Sequence, residues 1–304
     1  MDWHIILLFS LYAGVGVISL GFWWLVYGVF LSRGHNLREA VFGQRPNPAV
    51  ALDLAGGFLA VALLLFSLIN SAPRTSFRLN IPAVLISLLF TVALLAILRA
   101  LVAGGLRAWF RDRIDAQGDL ISLNNELFIQ RNMATGLFST VLYLILVAGL
   151  VELDPWHPTG QGFSWLYNML GIWLAGVVII ALHSFLYLGY GTRNHILHEC
   201  FHDNNPSAPL SLLGLVAPML PLVHQQIIAA GPGAHLFNNW GIWGNLGMIL
   251  LVVLVIRGML QIILFLATRI NLRYELVVHD NLAWGIIDGG LIFSLVLILN
   301  ALLA

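Results

Sequence analysis

The string in this sequence with the most chemical content is His195-Ile-Leu-His198-Glu199-Cys200-Phe201-His202, which contains a His-Glu-x-x-His. On a helix that spacing sets two imidazoles one turn apart with a carboxylate beside them, an arrangement that holds zinc and lets the glutamate activate a bound water. One reading is therefore a membrane-embedded zinc metallohydrolase, with His195, His198 and His202 as metal ligands and Glu199 as general base. A second set of groups carries charge deep into apolar runs: Asp53, Arg99, Arg257 and Asp288. A charge near mid-bilayer costs about 2.5–3.5 kcal/mol on insertion scales, so such groups face the bundle interior and pair. At the helical rise Asp53 lies about 9 Å inside from Asn47 and Arg99 about 13 Å from its own helix end, a gap an extended arginine closes. The same arithmetic pairs Asp288 with Arg257. His183 and His224 also lie within apolar runs, where an imidazole either titrates near neutral pH or hydrogen-bonds a neighbouring helix.

These groups sit in a chain of 304 residues that is 60% apolar and 9% charged, with a mean hydropathy of +0.90. That composition is an integral membrane protein's. The basic residues are all arginine and balance the acids, which removes the electrostatic case for nucleic acid as a partner. The lone Cys200 excludes an intramolecular disulfide. A bilayer core about 30 Å thick needs roughly 20 apolar residues per helix. Eight runs meet that length, at 4–32, 48–70, 81–108, 132–151, 165–191, 207–230, 240–268 and 281–303. The first is too long for a cleaved signal peptide and lacks a basic start, so it stays as a helix. Arg33, Arg38, Arg45, Arg107, Arg111, Arg113, Arg131, Arg193, Arg269 and Arg273 flank the links after odd-numbered helices, against Arg74 and Arg78 on the other side. Links rich in arginine stay in the cytoplasm, which puts both termini and the Glu152/Asp154 link outside.

A recurring unit organises the rest. Asn47, Asn132, Asn205 and Asn281 each open an even-numbered helix, where the side chain can cap unpaired backbone N–H groups. A glutamate precedes each of them: Glu39 by eight residues, and Glu126, Glu199 and Glu275 by six. As an alternative to capping, the four asparagines with their glutamates ring a vestibule that binds a cation. Higher-order echoes, His35-Asn-Leu-Arg-Glu39 with Asn271-Leu-Arg-Tyr-Glu275 and Asp53-Leu-Ala-Gly56-Gly57 with Asp288-Gly289-Gly290, divide the chain into four-helix domains at 1–155 and 160–304. The unit also bears on zinc. It accounts for Glu199, since Glu126 and Glu275 recur with no flanking His-x-x-His, and for Asp288, since Asp53 echoes it.

Asn47-x-Ala-x-Ala51 followed by Gly56-Gly57, the upstream glutamate, and Asn132-x-Ala-x-Gly136 resemble the bacterial inner-membrane proteins of domain of unknown function 350. The second half carries the pattern loosely, keeping Asn281, Ala283, Gly285 and two glycines. The resemblance implies four helices per domain and an eight-helix tandem, and it brings no reaction, ligand or catalytic residue. The His-Glu-x-x-His with the distant Asp288-Gly289-Gly290 also resembles site-2-type intramembrane proteases, a resemblance that implies Asp288 as a further zinc ligand, but the proline such proteases carry before their aspartate is missing from Asn281-Leu-Ala-Trp-Gly285. The expectation is an all-α polytopic protein of the bacterial inner membrane with eight helices. Its expected role is non-enzymatic, in transport, permeation or membrane assembly, centred on the buried Asp–Arg pairs and with no cofactor. The zinc hydrolase and a scaffold recruiting a cytoplasmic protein are the alternatives. Expected partners are the lipid bilayer, a further copy of the chain or that cytoplasmic protein.

Overall fold

The computed structural model describes residues 3–71, 77–111, 113–114, 118, 120–153, 164–185, 195–231 and 236–303. Its helices are α1 (Trp3–Val26), α2 (Leu37–Phe42), α3 (Pro48–Ser71), α4 (Phe77–Trp109), α5 (Met133–Leu150), α6 (Ser164–His183), α7 (Ile196–Phe201), α8 (Ser207–Ala229), α9 (Trp240–Thr268), α10 (Leu272–Val277) and α11 (Leu282–Leu303). No strand occurs among the described residues. Eight of these helices are long and apolar enough to cross a membrane: α1, α3, α4, α5, α6, α8, α9 and α11. Their outer faces show why they need one. Val17, Phe30, Ile86, Phe90, Ile262 and Leu302 stand more than half exposed, a surface that water does not tolerate and hydrocarbon does. The fifth run is seen as α6 to His183 with a wide turn over 184–185, and its expected remainder to 191, with Arg193 beyond it, lies outside the described residues.

The even-numbered membrane helices form an inner row. α3 packs on α5, α5 on α8 and α8 on α11, while α1 and α4 flank the first two, α6 flanks α5 and α8, and α9 flanks α8 and α11. Glycine sets the spacing of that row. A Cβ on Gly136 of α5 would stand 2.5 Å from the Ala49 carbonyl oxygen, and one on Gly214 of α8 would stand 2.1 Å from that of Gly289 in α11. Backbones therefore touch directly, the usual device for binding helices where lipid offers no hydrophobic drive.

Short helical turns precede each inner helix: α2, a wide turn over Asn125–Ile129, α7 and α10. In the last three, the residue before the asparagine swings into the left-handed region, at Arg131 (φ 56°), Asn204 (φ 53°) and Asp280 (φ 50°). That turn aims the asparagine side chain back along its new helix. In the first link Pro46 occupies this place, and a ring-locked φ near −65° forbids the turn. The chain instead takes two more residues between Glu39 and Asn47. The expected division at 155/160 falls within residues 154–163, outside those described, as does Asp154.

Candidate functional site

The structure brings Asp53 and Arg99 together. Arg99 Nη2 lies 3.2 Å from Asp53 Oδ1 and 3.3 Å from Oδ2, and it also donates to Ser139 Oγ at 3.1 Å. Tyr27 donates its hydroxyl to Oδ2 of the same carboxylate. Tyr143 lays its ring under the guanidinium, 5.6 Å from ring centre to Cζ, and Trp23 closes the cluster edge-on to Tyr27 and Tyr143, its indole filling the space that a Cβ on Gly57 would take. Asp53 is 1% exposed and Arg99 3%. Each of the four membrane helices in this half contributes one hydrogen-bonding group: Tyr27 just beyond α1, Asp53 from α3, Arg99 from α4 and Ser139 from α5.

A second cluster stands in the other half. Arg257 grips Asp288 with both ends of its fork, Nε to Oδ1 at 2.7 Å and Nη2 to Oδ2 at 3.0 Å. Ser211 donates to Asp288 Oδ2 at 2.5 Å, and His183 Nε2 meets Ser211 Oγ at 3.0 Å. Again four helices meet, α6, α8, α9 and α11. The echo between Asp53 and Asp288 needs correction, however. Asp53 stands six residues after Asn47, and it is Ser211 that stands six after Asn205; Ser139 stands seven after Asn132, as Asp288 does after Asn281. Counted from the asparagines, the aspartate and the serine stand in opposite order on the inner helices of the two clusters, α3 and α5 against α8 and α11, while the arginines stand on α4 and α9. That count would have found Ser139 and Ser211 from the sequence. Tyr27 carries no such signal.

The asparagines cap their helices. Asn47 accepts from Ala49 N at 3.0 Å, Asn132 from Thr135 N at 3.0 Å, Asn205 from Ser207 N at 3.0 Å and Asn281 from Trp284 N at 3.4 Å. Three of them also tie down the link glutamate, Asn132 Nδ2 to Glu126 Oε2 at 2.9 Å, Asn205 to Glu199 at 2.7 Å and Asn281 to Glu275 at 2.8 Å. Glu39 breaks the pattern. Its carboxylate lies against Gly43, and Asn47 turns its amide to the Leu127 carbonyl at 2.8 Å. The groups thus run one after another along the row, with their amides spent on carboxylates and carbonyls.

Burial pushes the Glu199 carboxyl up to about 8, opposed by the Asn205 hydrogen bond and reinforced by Asp203 and Asp280. The folded chain keeps this proton at pH values where the unfolded chain, with its ordinary value of 4.5, has released it. Stability is therefore expected to fall as pH rises from 4.5 to about 8. Glu199→Gln, shaped like the protonated acid, should flatten that slope in thermal melts; parallel curves for the two proteins would contradict it.

The histidine string lies on α7 and its caps. His195 Nδ1 accepts from the His198 backbone N–H at 3.1 Å and so caps the helix, and burial holds its imidazole below the usual range. His198 Nδ1 and His202 Nδ1 each lie 2.9 Å from an oxygen of Asp203, and their rings stack at 4.5 Å. These three offer ligand atoms within 4.8 Å of one another. Two members of the expected zinc set are engaged elsewhere. Asp288 is held by Arg257 and Ser211, and Glu199 bonds Asn205 from a buried position. Asp203, which the sequence reading passed over, stands with the histidines instead.

Between α3, α5, α8 and α11 lies a cavity of about 1040 Å³. Leu63, Phe66, Leu144, Ala217, Leu220 and Phe293 are among its walls. Its few polar side chains apart from Thr140, whose hydroxyl bonds the Leu52 and Gly136 carbonyls, gather at the end away from the links: Ser67, Asn70 and His224. His224 Nδ1 meets Glu152 Oε1 at 2.7 Å, and Asn168 donates to the same carboxylate at 3.4 Å. Both membrane histidines thus bond a neighbouring helix or its end.

Fold and clusters together define an all-α polytopic membrane protein. The family model of the domain of unknown function DUF350 matches residues 1–152, half of the 304, and the chain belongs to that family. The match ends within the turn that closes α5. No curated protein and no solved structure matches the chain.

Proposed function

We propose that this chain is a non-enzymatic protein of the bacterial inner membrane, in the transport, permeation or membrane-assembly class, and that it holds a lipid-like molecule in the cavity between α3, α5, α8 and α11. The observation that carries this reading is the cavity itself: about 1040 Å³, walled almost wholly by apolar side chains, with Ser67, Asn70 and His224 at one end. An acyl or isoprenoid chain with a small polar head suits that layout, tail toward Gly285 and head beside His224. The Asp53–Arg99 and Asp288–Arg257 clusters then act as pins that hold the cavity walls, since each joins four helices and its charged pair is buried among them. The four-helix units 1–155 and 160–304 are read as related, supported by the recurring glutamate–asparagine links and by one charged cluster in each. The arginines gathered beside those links favour a cytoplasmic place for them, with both termini outside.

A diazirine-bearing phospholipid in vesicles is expected to label cavity residues such as Leu213, Ala217 and Phe293. Labelling confined to outward residues such as Ile86 and Phe90 would overturn the reading. The trio His198, His202 and Asp203 favours a second, separate reading, metal binding at the link surface. Stoichiometric zinc lost on His198→Ala would support it, and metal-free protein after zinc exposure would sink it.

A further inference from the structure

We propose that copies of this chain associate head to tail in the membrane, the α11 edge of one copy packing on the α3 edge of the next, so that the inner row continues from chain to chain. The row already contains three junctions of one design. Asn47 Nδ2 donates across to the Leu127 carbonyl at 2.8 Å, Asn132 to that of Cys200 at 2.7 Å and Asn205 to that of Leu276 at 2.6 Å. In every case the acceptor is the residue that follows the next link's glutamate, Glu126, Glu199 or Glu275. Asn281 stands at the end of this series. It keeps its cap and its Glu275 bond, but among the described residues it has no carbonyl across from it. At the other end, the Ala40 carbonyl after Glu39 is bonded by its own link's Asn47 N–H at 2.7 Å and, among the described residues, receives no asparagine side chain from another link.

The helix faces tell the same story. On α5, the positions that stand two, six, nine and thirteen after the asparagine are Ala134, Phe138, Val141 and Ile145, all buried. The same places on α8 are Ser207, Ser211, Gly214 and Pro218, also buried, and three of them meet α11 or its link directly: Ser207 bonds the Leu276 carbonyl and lies under Gly285, Ser211 bonds Asp288, and Gly214 touches Gly289. On α11 these places are Ala283, Ile287, Gly290 and Ser294, and all four are exposed. α3 presents the complementary face. The glycines that let α5 and α11 approach their predecessors, Gly136 and Gly285, stand four after the asparagine, and Thr140 and Gly289 stand eight after. On α3 those places are Ala51 and Ala55, small side chains that are half-buried and exposed. Small residues on both edges permit the close backbone approach seen at the inner junctions. Two different surfaces meet in such a contact, so it is heterologous and builds rings or rows rather than a two-fold dimer.

By the geometry of the inner junctions, Ala51 of one copy should face Ala283 of the next, as Gly285 faces Ser207. The test is disulfide trapping in native membranes with a Cys200→Ser background, using copper phenanthroline as oxidant. The double variant Ala51→Cys/Ala283→Cys is expected to give a ladder of covalent oligomers. Either single variant alone should give none, and mixing the two singles should give a dimer. Both sites lie off the chain's packed interior, so folding is not at stake, and Ser294→Trp, on the same exposed face and outside the cavity lining, is expected to reduce the ladder at least tenfold. No ladder from the double variant, or efficient dimers from a single one, would overturn the proposal. The readout needs no ligand, so it stands or falls independently of the lipid cavity.

Discussion

Asp53→Asn and Arg99→Leu should each lower the stability of the detergent-purified chain by about 3–5 kcal/mol, and the double change should return most of the loss. Removing one partner strands a charge at a site 1–3% exposed, whereas the double change leaves no charge there, only an amide among the hydroxyls of Tyr27, Tyr143 and Ser139. The cycle has a sharper arm. Arg99 Nη2 already reaches Ser139 Oγ at 3.1 Å, so a carboxylate placed there should still meet the guanidinium. Asp53→Ser combined with Ser139→Asp reproduces in the first half the order found in the second, where serine is on α8 and aspartate on α11. That pair of changes is expected to be markedly more stable than Asp53→Ser alone. Simple additivity of the losses would show that the two halves are not built on one plan.

Asn132→Leu is expected to be more damaging than Asn281→Leu, at about 2–4 kcal/mol. One side chain there caps α5 through Thr135 N, holds the buried Glu126 carboxylate and reaches the Cys200 carbonyl across the junction. A lost cap costs about 1 kcal/mol and each lost buried bond roughly 0.5–1.5 kcal/mol, more where the abandoned partner stays buried. Asn281→Leu loses its cap and one bond at a half-exposed place, so thermal melts should rank it well below Asn132→Leu. Equal losses at the two positions would argue that capping alone matters.

The ion pairs were legible before any coordinates because a buried charge is so costly that its partner can be sought by depth alone. The hydroxyls that complete each cluster were not. Tyr27, Ser139 and Ser211 insert into a membrane without a penalty that would single them out, and the two glycines after Asp53 and Asp288 suggested a false alignment. Counting from Asn47, Asn132, Asn205 and Asn281 corrects it. Capping was readable from side-chain type, but the Leu127, Cys200 and Leu276 acceptors are backbone carbonyls, and any residue supplies one. The His-Glu-x-x-His string illustrates the opposite hazard. Its spacing suits zinc, yet packing sends Glu199 to Asn205 and gives His198 and His202 the neighbouring Asp203. The cavity had no signature at all, since it arises from the gaps between four separately encoded helices.

The most direct measurement of the central claim is the mass of the chain sprayed intact from mild detergent, with its Ala217→Trp variant alongside. Ala217 lines the cavity and is half-buried, so an indole there fills the space from one wall. The lipid reading predicts about one lipid-sized adduct on each wild-type chain, absent from the variant at unchanged thermal stability. An adduct retained equally by both proteins, or a bare wild-type chain in detergent supplemented with lipid, would contradict it.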